Sequence, residues 1–378
     1  MLQDTDIQML LYRARLLLEE GRNDAALAVL QTIHTQNEKQ LRDVAYLLGW
    51  CYIQRKQWDE AMQALAPLLD SHSEHEKLET PLERERLALY LLRLGQAAVK
   101  LAHYEDASLH FTICLKMLHD RRVHLPLVRI QVRYLLAMTC AMRGLCTIAI
   151  QQYAEALRLC RHYHDETELP HIYRGLCEAY QQIGDLINAS LAGQQALRLY
   201  QKAADQPMEA QIHTMLGHIR FQLGDFKEAG DHYTESLTIA RSYDKPTLIM
   251  LNCAALAELR LAEGHLEEAR SYCQLALETM ERTDNPHMQG KTYYMIGKVS
   301  YEEAKRSEGA HRHALLEETI TWYEKARKRL AETQAYADIA EVYSSCAQTL
   351  EELGRVADAI EYWRSGYEIL SQAKEITK

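Results

Sequence analysis

The sequence predicts an all-α solenoid of about nine helix hairpins, read as one domain over residues 1–378. Three observations predict it. Only seven prolines occur in 378 residues, and long runs of Leu, Ala, Glu, Gln and Arg favour helix. No stretch alternates apolar and polar residues in the Val-, Ile- and Thr-rich manner of a half-buried strand. A small-residue anchor returns nine times, at Ala26, Ala61, Ala107, Ala149, Ala189, Ala229, Ala269, Thr319 and Ala359, with spacings of 35, 46, 42, 40, 40, 40, 50 and 40. Self-similarity at a fixed period is the signature of stacked supersecondary units.

Around each anchor the same environment recurs: a small residue twelve before it, a turn residue five before it, a large residue four after it. The first copy reads Ala14, Gly21, Ala26, Leu30, and the second Gly49, Lys56, Ala61, Leu65. Pro67 then falls inside a predicted helix and is expected to kink or end it. "SHSEHEKLETPLERERL" (71–87) is long, polar and charged, and reads as a mobile loop. The third copy has Gly95, Ala102, Ala107 and Phe111, and the fourth Ala137, Gly144, Ala149 and Tyr153. The fifth keeps Cys177, Gly184 and Ala189 but puts Gly193 at the large position.

The sixth copy, "LGHIRFQLGDFKEAGDHY" (216–233), shows the physics most plainly. Gly224 is expected to end the first helix in the left-handed region. Gly217 and Ala229 let two antiparallel helices approach, and Tyr233 fills the space beyond. Gly230 has no role in the pattern; it is either tolerated or close to the neighbouring repeat. The seventh copy has Ala257, Gly264, Ala269 and Cys273. The eighth has Gly297, Ala314, Thr319 and Tyr323, stretched by ten residues, with "AKRSEGAHRHALLEE" (304–318) either lengthening both helices or adding a loop. The ninth has Ala347, Gly354, Ala359 and Trp363. The repeats are placed at 7–41, 42–80, 88–125, 130–168, 170–206, 210–245, 250–285, 290–335 and 340–373. Pro81, Pro126, Pro170, Pro207, Pro246 and Pro286 all fall between copies, where proline starts or stops a helix.

Charge and cysteine usage exclude several classes. The net charge of −10 and pI near 6.0 argue against a general nucleic-acid binder, which needs clustered Lys and Arg. "EKARKRL" (324–330), the densest basic run, reads as a solvated helix face near a C-terminus. The N-terminus lacks the pattern of a signal peptide, and no run of 18 apolar residues spans a membrane. Nine cysteines without a CxxC pair suit a reducing cytosol, so the expected location is cytoplasmic. Cys114, Cys140, Cys177, Cys253, Cys273 and Cys346 sit at packing positions and read as small hydrophobes.

The pattern resembles the tetratricopeptide repeat (TPR) family, written here as "LGHIRFQLGDFKEAGDHYTESL" and "ALAELRLAEGHLEEARSYCQLAL" (255–277), over about residues 7 to 373. The spacing near 40 resembles the long-repeat branch of Rap- and PlcR-type peptide-sensing regulators, MalT-like regulators and LGN-type scaffolds. The resemblance implies a right-handed superhelix whose first helices line a concave surface. It also implies that the end of such an array carries a polar cap. Here "KEITK" is too short to be one, so Trp363, Tyr367 and Leu370 form a candidate C-terminal interface for a second copy, giving a homodimer, or for another chain; the alternative is that they turn inward.

Chemistry is not expected: no enzyme, no cofactor, no metal. "MQGKT" (288–292) contains GKT, but Asn285 stands where a phosphate-binding loop needs Gly, and no strand precedes it. "HSEH" (72–75), "HYHDE" (162–166) and "HRH" (311–313) lack zinc-site spacing and read as surface. A phosphatase-type effect exerted on a partner stays open. In the family, ligands meet first-helix residues, and the register maps these to Tyr46, Trp50, Arg93, Gln96, Tyr134, Met138, Arg174, Glu178, Thr214, His218, Glu258, Tyr294, Lys298 and Gln348. Residues four apart share a helix face, so Tyr46/Trp50, Arg174/Glu178, Thr214/His218 and Tyr294/Lys298 are adjacent pairs. Aromatic anchors with a few charges suit an extended peptide or a helix. Each pair can equally be an intramolecular contact. The two-carboxylate clamp of chaperone-binding relatives has no counterpart. The first functional reading is a protein- or peptide-binding scaffold. The alternative is a peptide-responsive sensor of the Rap/PlcR or MalT-like type. Repeats starting near residue 7 leave no room for a DNA-binding or extra N-terminal module, so the sensor's output would lie on a separate chain.

Overall fold

The structure, a computed structural model, describes residues 4–65, 81–119, 123–333 and 335–376. Those residues form eighteen α-helices arranged as nine consecutive pairs. They are α1 (Asp4–Glu19), α2 (Asn23–Gln31), α3 (Glu38–Gln54), α4 (Trp58–Leu65), α5 (Pro81–Lys100), α6 (Tyr104–Leu118), α7 (Pro126–Met142), α8 (Cys146–Tyr163) and α9 (Leu169–Gln182). There follow α10 (Leu186–Lys202), α11 (Gln206–Gln222), α12 (Phe226–Ser242), α13 (Pro246–Ala262), α14 (Leu266–Met280), α15 (Pro286–Lys305), α16 (Gly309–Leu330), α17 (Tyr336–Glu352) and α18 (Val356–Ile376). The chain divides into two compact units, Met1–Ala196 and Leu197–Lys378.

Each boundary follows from local chemistry. Proline occupies the first or second position of α7, α9, α11, α13 and α15, where its missing N–H costs nothing. The turns within hairpins use one left-handed residue. After α11 the Gly224 N–H donates to the Phe221 carbonyl (3.0 Å) and the Asp225 N–H to the Arg220 carbonyl (2.9 Å), capping carbonyls the helix leaves open. Gly224 sits at φ +82°. Lys56 and Ala102, the non-glycine residues of the same register, take φ 60° as well. A left-handed conformation costs a side-chain-bearing residue about 1–2 kcal/mol, which the hairpin packing offsets.

Small-against-large pairing holds the hairpins together. A Cβ placed on Gly217 would lie 2.5 Å from the Tyr233 ring, so only hydrogen fits there. Gly297 faces Tyr323 in the same way, and in the first unit Gly95 faces Phe111 and Gly49 faces Leu65. In the fourth copy the small residue is Ala137, and the Tyr153 ring lies instead against Gly175 of the following first helix. Gly230 meets Leu259 of the next hairpin, at 3.1 Å for an added Cβ, which settles its role as a close approach between repeats. All nine cysteines are free and buried. Burial pushes the Cys114, Cys177, Cys253, Cys273 and Cys346 thiols up to about 12, so they pack rather than react.

Three expectations need correction. Residues 81–87 of the anticipated loop are the first turns of α5, started by Pro81; the rest of that stretch, with Pro67 and "HSEH", lies outside the described residues. In the eighth copy the left-handed residue is Gly309 (φ +59°), not Ala314. Thus the ten-residue insertion splits evenly: Gly309 lies twelve residues after Gly297 rather than seven, and ten before Thr319 rather than five. Both helices lengthen, α15 to 20 residues and α16 to 22, against 17 in each of α11 and α12. The last helix runs to Ile376 rather than stopping near Ala373.

The second unit also pairs the buried His213 with the half-buried His232. His213 Nδ1 of α11 and His232 Nδ1 of α12 are 2.9 Å apart, so one ring donates and the other accepts. Burial lowers both basicities. For His232, its neighbours His213 and Arg220 add to the effect and bring it down to about 4, against the opposing pull of Asp231. Glu209 and Glu235 pull His213 the other way, without cancelling burial. The unfolded chain therefore binds more protons between the ordinary histidine value near 6.5 and about 4. The stability linked to these neutral rings is full above pH 6.5 and drains as pH falls toward 4. Urea midpoints measured at pH 7 and pH 5 are expected to fall with acidity in the parent and less so in His232→Asn; equal slopes would count against this role.

Candidate functional site

The register residues form three clusters, each inside one unit. In the first unit, Tyr46 and Trp50 on α3 meet Tyr90 and Arg93 on α5. The Tyr46 and Tyr90 rings lie 4.7 Å apart, and Tyr46 and Trp50 6.2 Å apart. The Arg93 guanidinium stands 5.3 Å from the Trp50 ring centre and donates to Gln96 Oε1 at 3.1 Å. Four of the residues read from the sequence thus touch one another. Cation–π contact fixes Arg93 over the indole and leaves a half-buried aromatic surface.

The second cluster joins α7 and α9. Tyr134 packs near His171 (6.1 Å between rings) and reaches Met138 Sδ at 3.9 Å. Arg174 bonds Glu178 at 2.9 Å, the one-turn ion pair anticipated as an intramolecular contact. Burial raises the Tyr134 phenol, and the Arg174 guanidinium opposes that shift. A one-turn helix pair of this kind contributes only about 0.3–0.5 kcal/mol, so this half-buried pair orders the side chains more than it stabilises the fold.

The third cluster, in the second unit, is a true concavity. Two adjoining clefts of about 130 and 440 Å³ share Glu258 of α13 and Tyr294 and Lys298 of α15. His218 of α11 lines the smaller and Gln348 of α17 the larger. Lys298 Nζ binds Glu258 at 2.9 Å and lies 5.6 Å from the Tyr294 ring centre. The Tyr294 hydroxyl donates to Glu341 (2.9 Å) and stands 3.0 Å from the Ser345 hydroxyl. Behind this wall the Tyr233 hydroxyl holds His218 Nδ1 at 2.9 Å. Burial lowers His218, Lys291 adds to that effect, and Glu258 opposes it, so the ring is neutral near pH 7.

Sequence reasoning missed several lining residues and misplaced one. Lys291 and Glu341 also line the clefts, one helical turn before Tyr294 and Ser345. Their spacing, 291/294/298 and 341/345/348, was readable as one helix face. Asp338, held by His287 at 2.7 Å and Lys291 at 3.5 Å, continues that face one turn before Glu341. Thr214, by contrast, is buried, because its hydroxyl joins Ser236 (2.8 Å) and Asn252 Oδ1 (3.0 Å) between hairpins. At the last helix, Trp363, Tyr367 and Leu370 are exposed, and the Trp363 indole N–H donates to Glu351 at 3.0 Å. "MQGKT" lies within α15, and "HRH" in the first turns of α16. Among the described residues, no group of three or more His, Cys, Asp or Glu is placed to hold a metal ion. Within the same residues no helix is long and apolar enough to cross a membrane.

Consecutive hairpins with small-to-large packing define a helical-repeat solenoid, with clefts on its first helices. The chain belongs to the TPR proteins: the family of the MalT-like TPR region matches residues 92–373, and a general tetratricopeptide repeat matches 17–78. No curated protein sequence matches the chain. Among solved structures it is similar to the apo form of RapI, with 13% identity, 98% of each chain covered and a TM-score of 0.73. It is also similar to the apo form of the quorum sensor NprR from B. thuringiensis, with 16% identity, 97% of this chain and 99% of that one covered, and a TM-score of 0.69. NprR in complex with its cognate peptide NprX gives a TM-score of 0.54 at 15% identity, covering 98% and 99% of the chains. Aspartyl phosphate phosphatase F from Bacillus subtilis gives 0.50 at 13% identity, covering 89% and 96%. At these identities the likeness is one of fold.

Proposed function

We propose that this protein is a peptide-responsive regulator, and that its ligand occupies the second-unit clefts around Glu258, Tyr294 and Lys298. The carrying observation is the concavity itself. Aromatic walls, two lysines and several carboxylates converge there from the first helices of successive hairpins. Such a surface offers an extended chain apolar contact and polar anchors for its backbone and ends. The likeness to NprR, which is known in complex with its cognate peptide, supports this reading over that of a passive scaffold. The regulator acts by binding, with its output on a partner chain. The clusters around Trp50 and around Arg174 extend the same register in the first unit and serve as partner contacts.

The test is affinity selection from a library of short synthetic peptides, read by mass spectrometry. The parent chain is expected to enrich a small related set. Tyr294→Ala combined with Lys298→Ala is expected to lose that set by at least tenfold, the effect of about 1.4 kcal/mol. Equal enrichment by both chains would remove the site from these clefts.

A further inference from the structure

The outward face of α18 is built to be covered. Val356, Ile360, Trp363, Tyr367 and Leu370 are 56, 55, 39, 73 and 45% exposed, and their 4-3-4-3 spacing puts them on one stripe about 20 Å long. Relative to the anchor Ala359 they stand at −3, +1, +4, +8 and +11. The same positions in α16 are Leu316, Ile320, Tyr323, Arg327 and Leu330, none of them exposed. There Tyr323 and Leu330 pack with Ile339, Val342 and Cys346 of the following helix, α17. In α12, Tyr233, Leu237 and Ala240 pack likewise with Ile249, Cys253 and Leu256 of α13. The α18 stripe is thus the face that earlier second helices bury beneath the next hairpin. Among the described residues nothing lies on it.

We infer that a second copy of this chain covers the stripe with its own α18, forming a two-fold dimer. Two observations favour that occupant. The stripe exposes on the order of 500 Å² of mostly apolar side chain, at the upper end of what monomers leave uncovered and over half the ~800 Å² per partner of a stable interface. Its flank is also self-complementary. Exposed Arg364 and Glu368, one turn apart, meet Glu368 and Arg364 when an antiparallel copy is laid against them. The Trp363 N–H is already satisfied by Glu351, so the indole offers its ring at no polar cost. The contact closes on itself, whereas seating another helix of a second copy here would propagate without closing. The inference does not depend on the peptide site.

Sedimentation equilibrium of the full chain tests it. At concentrations of about 10 µM and above, the mass is expected to be twice 43.6 kDa. Ile360→Glu with Tyr367→Glu is expected to give 43.6 kDa at tenfold higher concentration, with helix content unchanged by circular dichroism. Should that variant unfold, Tyr367→Cys supplies an independent reading, since symmetry-related cysteines are expected to form an intermolecular disulfide under mild oxidation. A parent chain that stays monomeric at about 100 µM, a cysteine variant that does not cross-link, or open-ended growth abolished by Tyr12→Glu, a change at an exposed aromatic on the opposite-end helix α1, would each overturn the two-fold contact.

Discussion

Replacing Tyr233 by Ala is expected to cost about 3–5 kcal/mol, among the largest single-residue effects on the second unit. The side chain is buried in the hairpin of α11 and α12, lies against Gly217, and packs with the first helix of the next hairpin. Its loss opens a cavity that rigid helices close only partly. It also removes the hydroxyl that fixes His218. Gly217→Val is expected to be damaging for the opposite reason, because its added carbon lands on the same ring. The two changes are neighbours, so they do not add. In the double variant the valine side chain fills part of the space that Tyr233→Ala leaves, and that chain is expected to be less unstable than the sum by at least about 1 kcal/mol. Urea unfolding of the four chains measures the cycle. Simple additivity would mean that the glycine–tyrosine contact does not hold the hairpin.

Asn252→Leu is expected to cost about 2–3 kcal/mol although leucine is the more apolar residue. Asn252 is buried, and its amide donates to Ser236 (2.9 Å) and to the Leu248 carbonyl (2.9 Å) while its oxygen accepts from Thr214 (3.0 Å). One side chain thereby satisfies hydroxyls on two other helices. Leucine would remove the amide's bonds to both hydroxyls and leave Thr214 and Ser236 only each other and the Ala210 carbonyl, and an unmade buried hydrogen bond costs more than a made one contributes. Replacing Thr214 by Val and Ser236 by Ala together with Asn252→Leu removes the stranded groups and is expected to recover part of the loss. No recovery would indicate that shape, rather than polar satisfaction, sets the cost.

The fold was legible because the repeat writes the same physical constraint nine times. A small residue, a left-handed turn and a large residue at fixed offsets read as one hairpin each, and the prolines mark the joints. The eighth copy defeated a fixed offset: the insertion moved the turn to Gly309, and only the helices themselves reveal how ten residues were divided. The loop expected over 71–87 failed at Pro81, where charged residues on an amphipathic helix look like a polar loop in one dimension. The first-helix register led to Tyr294, Lys298, Glu258 and His218, which line the second-unit clefts. It misassigned Thr214 because a threonine that bonds within the core and one that faces a ligand look alike in sequence. Asp338 was passed over although it lies one turn before Glu341 on the same face; what singles it out, its contacts with His287 and Lys291, joins separate hairpins and is not written in the register.

Hydrogen exchange of the full chain, with and without the peptide selected by affinity, tests the account most directly. Slower exchange confined to α13, α15 and α17, and lost with Tyr294→Ala and Lys298→Ala, is the predicted result. Protection centred on α18 or on the first unit, or none at saturating peptide, would contradict a regulator whose ligand lies in the second-unit clefts.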